Sequence, residues 1–184
     1  MQQDMKRRMK TKDLTVLSLF TAILCVLAPI SVPLGFTAIP ISLGTLTVML
    51  VATVLGLKRG MVSVGVYLLL GMVGVPVFAG FTGGIMKLAG PTGGYLVGYL
   101  FLAATCGFMS DRFSGKIIWQ IFGMLLGTVL LYAFGTVWFM ILNEMSLAKS
   151  LSLCVIPFLP GDIIKITAVA LIATPLRKMT RIHE

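Results

Sequence analysis

Six long apolar runs, separated by short polar segments, dominate the chain. Each run is 16 to 26 residues long, and a transmembrane helix needs roughly 20 mainly apolar residues. The fifth run is the longest, which permits a tilted helix or one that extends beyond the bilayer. The pattern therefore predicts six membrane-spanning helices. The runs cover residues 14–29, 41–57, 61–76, 93–109, 117–142 and 161–179.

Two segments between the runs break this pattern. Residues 76–92 are rich in glycine, contain two prolines and Lys87, and are predicted to form a long structured loop. Residues 147–159 are apolar but number only 13, and Pro157 and Pro160 interrupt their continuation. A segment this short is predicted to be re-entrant, or to form a lid that leads into the sixth helix.

The composition agrees with a membrane-embedded chain. Of 184 residues, 58% are hydrophobic and 11% are charged, and the mean hydropathy is +1.02. A soluble domain carries roughly 25% charged residues, so a soluble enzyme and a disordered protein are excluded. We therefore predict an all-α integral membrane protein, with a basic tail at residues 1–13, one six-helix domain at 14–179 and a short tail at 180–184.

The net charge of +9 is interpreted as a sign of membrane topology. Twelve of the 15 Lys and Arg residues fall in the two tails and in the loops on the same side of a six-helix protein. By the positive-inside rule, this side is cytoplasmic and both termini face the cytoplasm. No nucleic-acid partner is indicated, because no basic face is interleaved with aromatic residues. The twelve are Lys6, Arg7, Arg8, Lys10, Lys12, Lys58, Arg59, Arg112, Lys116, Arg177, Lys178 and Arg181.

Asp162 and Lys165 are the charged residues whose position needs an explanation. They stand at the start of the sixth apolar run, where each would cost roughly 2.5–3.5 kcal/mol at the centre of a membrane helix and less near its end. The i, i+3 spacing places them on one helix face. One interpretation is an Asp in the first helical turn with Lys165 extending outward as its ion-pair partner. The other is a ligand site, and the two are compatible.

Small residues form a second pattern. Gly90, Gly94 and Gly98 recur every fourth residue, as expected of a stripe for close helix packing. The segment 90–94 also leads into a helix N-terminus, whose backbone N–H groups could bind a carboxylate or carbonyl. A tight turn followed by helix packing is the alternative.

Two further small-residue pairs have the spacing of a helix-packing motif: Ser18 with Ala22, and Gly123 with Gly127. Such pairs serve either internal packing or docking to another membrane protein. The sequence leaves both uses open.

The chain carries no recognisable catalytic or metal-binding set. It has no HExxH, no GxSxG and no pair of intramembrane aspartates, and its single histidine is His183 in the tail. Cys25, Cys106 and Cys154 each stand alone in an apolar run, as small packing residues do. These features favour a membrane protein that binds a substrate, with no metal and no cofactor of its own.

Four motifs resemble the BioY family, the biotin-specific S components, or substrate-binding subunits, of energy-coupling factor (ECF) vitamin transporters. They are TAIPISLGTL at residues 37–46, GFTGG at 80–84, GPTGGYL at 90–96 and PGDIIK at 160–165. GPTGGYL is the most specific, and the resemblance extends over residues 14–176. Gly44 is a departure, because the family usually carries Gln there.

The resemblance implies a six-helix S-component fold in the cell membrane, with a vitamin pocket near the extracellular side. It also implies that this chain supplies substrate specificity and is not an enzyme. A transmembrane coupling subunit and two cytoplasmic ATPase subunits would power uptake. The first helix of S components typically carries an AxxxA docking motif, to which Ser18 and Ala22 are the nearest match.

Biotin presents two ureido N–H donors, a ureido carbonyl, an apolar thioether ring and a carboxylate. Asp162 could accept from the N–H groups, and Lys165 could donate to the carbonyl or, alternatively, to the carboxylate. Otherwise Lys87 or the N–H groups around Thr92 and Gly93 would hold the carboxylate.

Aromatic residues on the external segments are candidates to line the apolar ring. An S component or stand-alone carrier for another vitamin, and a membrane enzyme or signalling protein with the same pocket, remain as alternatives. The aromatic candidates are Phe36, Phe81 and Tyr95, with Trp138 as a further possibility.

Overall fold

The apolar runs form the helices of the protein. A computed structural model describes residues 11–37, 39–113 and 116–181. Residues 1–10 of the predicted basic tail and residues 182–184 of the C-terminal tail lie outside this described part. The helices are α1 (Thr11–Leu27), α2 (Gly44–Met72), α3 (Ile85–Ala89), α4 (Gly93–Arg112), α5 (Ile117–Asn143), α6 (Leu147–Cys154) and α7 (Leu159–Arg181).

The described residues contain four helical segments that are long and apolar enough to cross a membrane, together with a shorter apolar helix at α1. The four are α2, α4, α5 and the region Leu147–Met179, which joins α6 to α7. Many large apolar side chains on the outside of these helices are exposed, such as Leu125, Val129 and Leu171. An apolar outer surface of this extent is typical of contact with lipid, so the fold is that of a multi-pass membrane protein.

Helix α2 reverses direction at Gly56. This residue has φ 80° and ψ −177°, a conformation that glycine reaches without steric cost. A Cβ added at Gly60 would lie 2.9 Å from the Cα of Ala52, whereas eight residues of straight helix advance about 12 Å. The two halves of α2 therefore pack side by side, and the turn between them falls where the sequence predicts a loop between the second and third runs.

Helix α4 lies at the centre of the bundle and packs between α2 and α5. Glycines allow the close approach: a Cβ at Gly98 would meet Leu131 of α5 at 3.0 Å, and a Cβ at Gly123 of α5 would meet Met109 of α4 at 2.9 Å. Gly127 likewise faces α4, at Leu102. The pair Gly123 and Gly127 therefore serves internal packing.

Ser18 and Ala22 differ from that pair because both are exposed on the outer face of α1. Their neighbours on the same face, Leu19 and Val26, are also exposed. Of the two small-residue pairs whose use the sequence does not decide, Ser18 with Ala22 is the pair that a partner helix can reach.

The connecting segments at one end of the bundle carry the remaining structure. Strand β1 (Ser31–Val32) pairs antiparallel with β2 (Ile41–Ser42), so the prediction of an all-α chain misses a short hairpin. Two-residue strands between prolines are too short to produce a visible alternation. We call this end, with the hairpin, α3 and α6, the pocket end.

The pocket end also contains the two segments that broke the apolar pattern. The predicted loop at residues 76–92 includes α3 and a bridge between Phe78 and Thr82. The short segment at 147–159 forms α6 and a 3₁₀ turn, Ile156–Phe158. Helix α7 then begins at Leu159, which places Pro160 in its first turn, where the missing N–H of proline costs nothing.

The opposite end of the bundle is held by a network around Arg177 of α7. Its guanidinium donates to the backbone carbonyl of Thr53 at 2.7 Å and to the Oδ1 atom of Asp111 at 2.7 Å. The Oδ2 atom of Asp111 accepts from the backbone N–H of Leu57 at 2.8 Å. This network joins α7, α4 and the Gly56 turn of α2.

Candidate ligand-binding site

A cavity of about 400 Å³, counting the space at its open mouth, lies at the pocket end between α2, α4, α5 and α7. The described residues that line it are Ile39, Pro40, Ser42, Thr45, Tyr95, Tyr99, Leu131, Tyr132, Cys154, Phe158, Asp162 and Lys165.

Asp162 and Lys165 are both buried and both line the cavity. Asp162 lies in the first turn of α7, as the sequence predicts. The Nζ atom of Lys165 is 3.6 Å from the Oδ1 atom of Asp162. Lys165 is only 9% exposed, so its side chain does not extend outward to solvent. The structure therefore supports an ion pair that faces inward.

Two other helices hold this pair in place. The ammonium of Lys165 donates to the Oγ1 atom of Thr45, at the start of α2, at 2.9 Å. The hydroxyl of Tyr132, in the middle of α5, donates to the Oδ2 atom of Asp162. Contacts from α2 and α5 therefore fix the orientation of the two charged side chains of α7.

The pair retains hydrogen-bonding capacity. A carboxylate has about four acceptor positions, and Asp162 uses one with Tyr132 and one toward Lys165. An ammonium has three donors, of which Lys165 directs one to Thr45 and one toward Asp162. Asp162 can therefore accept hydrogen bonds from two further donors, and Lys165 can donate to one further acceptor. A planar ligand that carries N–H and C=O groups side by side requires this combination.

Aromatic rings form much of the remaining wall. Tyr95, Tyr99, Tyr132 and Phe158 all line the cavity, and the rings of Tyr95 and Tyr132 meet edge to face with centroids 6.4 Å apart. The hydroxyl of Tyr95 shares a hydrogen bond of 3.2 Å with Thr136. These walls suit the apolar part of a small ligand.

Sequence reasoning identified Tyr95 but missed Tyr99 and Tyr132. Tyr99 follows Tyr95 by four residues and so lies on the same face of α4, which was a usable signal. Tyr132 lies in the middle of the long fifth run and gave no comparable signal. Its position opposite Asp162 depends on how α5 packs against α7.

Two of the other predicted aromatic residues do not belong to the cavity lining. Phe36 and Phe81 are 60% and 66% exposed on the connecting segments. Lys87, in the last turn of α3, is also outside the described lining. Trp138 packs on Gly94, and its indole N–H donates to the carbonyl of Gly90 at 3.1 Å.

The glycine-rich segment before α4 forms a tight turn. The N–H of Gly93 donates to the carbonyl of Gly90 at 2.9 Å, and a Cβ at Gly93 would overlap with the carbonyl of Leu88. Neither Gly93 nor Thr92 lines the cavity. Of the N–H groups around Thr92 and Gly93 that the sequence offers to a carboxylate, that of Gly93 is already used by the turn.

Gly44, where the family resemblance suggests Gln, lies directly against the side chain of Tyr99. A Cβ at this position would overlap with the hydroxyl of Tyr99. A tyrosine hydroxyl that comes from α4 therefore lies beside the start of α2, where relatives would place the Gln side chain.

The described residues contain no group of three His, Cys, Asp or Glu side chains that could hold a metal ion. The fold and the site together define a membrane protein with a small-ligand pocket between its helices. The model of the BioY family matches residues 2–182. This chain belongs to the BioY family, and the resemblance found in its motifs is confirmed.

Relatives and a solved structure agree with this membership. The chain is 38% identical over 170 residues to the biotin transporter BioY of Thermotoga maritima, covering 91% of this chain and 97% of the relative. It is 38% identical over 175 residues to the biotin transporter BioY of Rhizobium etli, covering 89% and 92%. It is similar to the crystal structure of the S-component for biotin from an ECF-type ABC transporter, with TM-score 0.85, 32% identity and 95% of each chain covered.

Proposed function

We propose that this protein is a biotin-binding S component that captures extracellular biotin and delivers it to an ATP-driven ECF transport complex. The observation that carries the proposal is the buried pair of Asp162 and Lys165, which lines the cavity and keeps donor and acceptor capacity. Family membership supports the same function, because the relatives are named as biotin transporters.

In the proposed complex, the ureido ring lies against Asp162 and Lys165. The carboxylate of Asp162 accepts from the ureido N–H groups, and the ammonium of Lys165 donates to the ureido carbonyl. Hydrogen bonds to charged groups contribute roughly 1.5–3 kcal/mol each. The rings of Tyr95 and Phe158, which line the same cavity, contact the thioether ring.

The test is biotin binding by the Asp162→Ala variant, measured by isothermal titration calorimetry in detergent. We expect at least a tenfold loss of affinity, because the ureido N–H groups lose their charged acceptor. Asp13→Ala is the matched control, since Asp13 pairs with Arg59 outside the cavity and its loss leaves the cavity intact.

Asp162→Asn keeps the shape of the side chain and removes its charge, so it provides a second test if the alanine variant does not fold. Wild-type affinity in both Asp162 variants contradicts the role of this residue. Biotin copurified with the wild-type protein and identified by mass spectrometry supports the ligand assignment, and another vitamin in its place contradicts it.

The proposed topology has six crossings, with both termini in the cytoplasm of the cell and the cavity toward the outside. The reversal of α2 at Gly56 supports this arrangement, because α2 then supplies two of the crossings. The basic residues support the orientation. Lys58, Arg59 and Arg112 lie beside the Gly56 turn and the end of α4, at the end of the bundle opposite the cavity.

The proposed partners are a transmembrane coupling subunit and two cytoplasmic ATPase subunits. The outer face of α1 supports a docking role, because Ser18 and Ala22 are exposed and small. Small residues allow two helix backbones to approach closely in a membrane. We place the coupling subunit on this face.

The docking surface is tested by Ala22→Trp in copurification with the coupling subunit. We expect loss of the complex and unchanged biotin binding, because an indole prevents close helix approach at a position that does not line the cavity. Ala133→Trp is the matched control, since Ala133 is also exposed but belongs to α5. A complex that survives Ala22→Trp places docking elsewhere.

A further inference from the structure

We propose that Tyr99 is a ligand-contacting residue whose hydroxyl holds the ureido carbonyl together with Lys165, and that Gly44 is the position that makes room for it. This inference rests on the proposed function and deepens it by assigning a specificity-determining hydroxyl. It begins from the contact between an α4 tyrosine and the first residue of α2.

Tyr99 is 7% exposed and lines the cavity. Its hydroxyl occupies the space in which a side chain at Gly44 would begin, so a Cβ there would overlap with it. Gly44 has no left-handed φ, so backbone conformation is not what requires glycine at this position. The requirement is the space that the Tyr99 hydroxyl fills.

The three cavity tyrosines differ in what their hydroxyls contact. The hydroxyl of Tyr95 is paired with Thr136, and that of Tyr132 donates to Asp162. The hydroxyl of Tyr99 lies beside the Oγ atom of Ser42, because both atoms border the position that a Cβ at Gly44 would take. Its neighbour is therefore another hydroxyl, which can either donate or accept.

A chain of hydrogen bonds can direct the phenolic proton into the cavity. The backbone N–H of Gly44 donates to the Oγ atom of Ser42 at 3.3 Å. Ser42, which also lines the cavity, can then donate to the Tyr99 oxygen. This arrangement leaves the phenolic O–H as a donor to the ligand, and each bond in such a chain strengthens the next.

A ureido carbonyl has two lone pairs and can accept from two donors. Lys165 has one uncommitted N–H after its contacts with Thr45 and Asp162. Tyr99 supplies a second donor from the facing helix. Two donors from α7 and α4 fix the direction of the carbonyl, so the site selects ligands with a strong acceptor at this point.

The test compares biotin with 2-thiobiotin, whose thione sulfur is a weaker hydrogen-bond acceptor than the carbonyl oxygen. Affinities of both ligands for the purified protein are measured by calorimetry. In Tyr99→Phe we expect biotin affinity to fall about fivefold and 2-thiobiotin affinity to fall less. The preference for biotin over 2-thiobiotin therefore decreases.

Tyr67→Phe is the matched control. Tyr67 is a buried tyrosine whose ring lies 6.3 Å from that of Tyr99, yet it does not line the cavity. Loss of its hydroxyl should leave the preference between the two ligands unchanged. If Tyr99→Phe leaves biotin affinity unchanged, or lowers the affinity of both ligands by the same factor, the inference is overturned.

A double-mutant cycle tests the role of Gly44. We expect Gly44→Ala to lower biotin affinity by up to about fivefold by displacing the Tyr99 hydroxyl, and to cost much less in the Tyr99→Phe background. Fully additive effects overturn the pairing of the two residues. If the wild-type protein binds neither ligand, the proposed biotin function itself is overturned. If the wild-type protein binds biotin but the Tyr99→Phe comparison or the double-mutant cycle fails, only this inference is overturned.

Discussion

The two ends of the bundle each contain an acidic and a basic side chain in contact, but the two pairs differ in their surroundings. At the opposite end, Arg177 and Asp111 are 2.7 Å apart, and further bonds to Thr53 and Leu57 engage both side chains. At the pocket end, Asp162 and Lys165 are 3.6 Å apart and border a cavity.

The difference shows how similar chemistry serves two purposes. Burying a charge in an apolar bundle costs several kcal/mol unless partners replace its hydration. The contacts of Arg177 and Asp111 come from three chain segments and tie these segments together. The partners of Asp162 and Lys165 orient the two side chains but leave capacity for a ligand. We interpret the first pair as structural and the second as ligand-binding.

Arg177→Met tests the structural pair and has the largest expected effect on stability. Asp111 is 43% exposed in its side chain, so water compensates part of the loss. We therefore expect a destabilisation of about 2–3 kcal/mol, chiefly from the carbonyl and carboxylate that lose a buried donor. Thermal unfolding in detergent measures it, and biotin affinity should not change.

The control for this variant is Lys178→Met, since Lys178 is the exposed neighbour of Arg177 on α7. An Arg177→Met protein that unfolds at the wild-type temperature contradicts the structural interpretation. A tenfold loss of biotin affinity in a stable variant would instead connect this end of the bundle to ligand binding.

Lys165→Met tests the second pair and is expected to act on affinity, with a smaller effect on stability. Methionine fills a similar space but cannot donate to the ureido carbonyl. We expect about a tenfold loss of biotin affinity, or roughly 1.4 kcal/mol, by calorimetry. Lys149→Met is the control, because Lys149 is exposed on α6 and does not line the cavity.

Unchanged affinity in Lys165→Met, together with normal expression, would give Lys165 the same structural role as Arg177. If Lys165→Met lowers stability as much as Arg177→Met does, the two charged pairs also do not differ in function as we interpret them. Either outcome is distinguishable from failure of the proposed function, since the wild-type protein is measured beside each variant.

Most of the helices could be predicted from the sequence. The run at 117–142 corresponds to Ile117–Asn143, and the run at 93–109 to the longer helix Gly93–Arg112. An uninterrupted apolar segment must satisfy its own backbone in lipid, which leaves a helix as its structure. The hairpin of β1 and β2 was missed because its two-residue strands carry no periodic pattern.

The candidate site was predicted only in part. Asp162 and Lys165 stood out because charge is rare in an apolar run, and their spacing placed them on one face of α7. Thr45 and Tyr132 contact them from α2 and α5, and such partners far along the chain follow from helix packing. The N–H groups around Thr92 and Gly93 were predicted as one possible carboxylate site, and the turn with Gly90 uses the donor of Gly93.

The sequence by itself determined the membrane class, the family, most helix positions and the unusual charged pair, since these depend on composition, periodicity and motif. The tertiary structure decided which groups face one another. Ser18 and Ala22 are exposed on the outside of the bundle, whereas Gly123 packs against α4. The hydroxyl of Tyr99 lies against Gly44. Side chains on different helices meet only through packing, which sequence spacing along one helix does not specify.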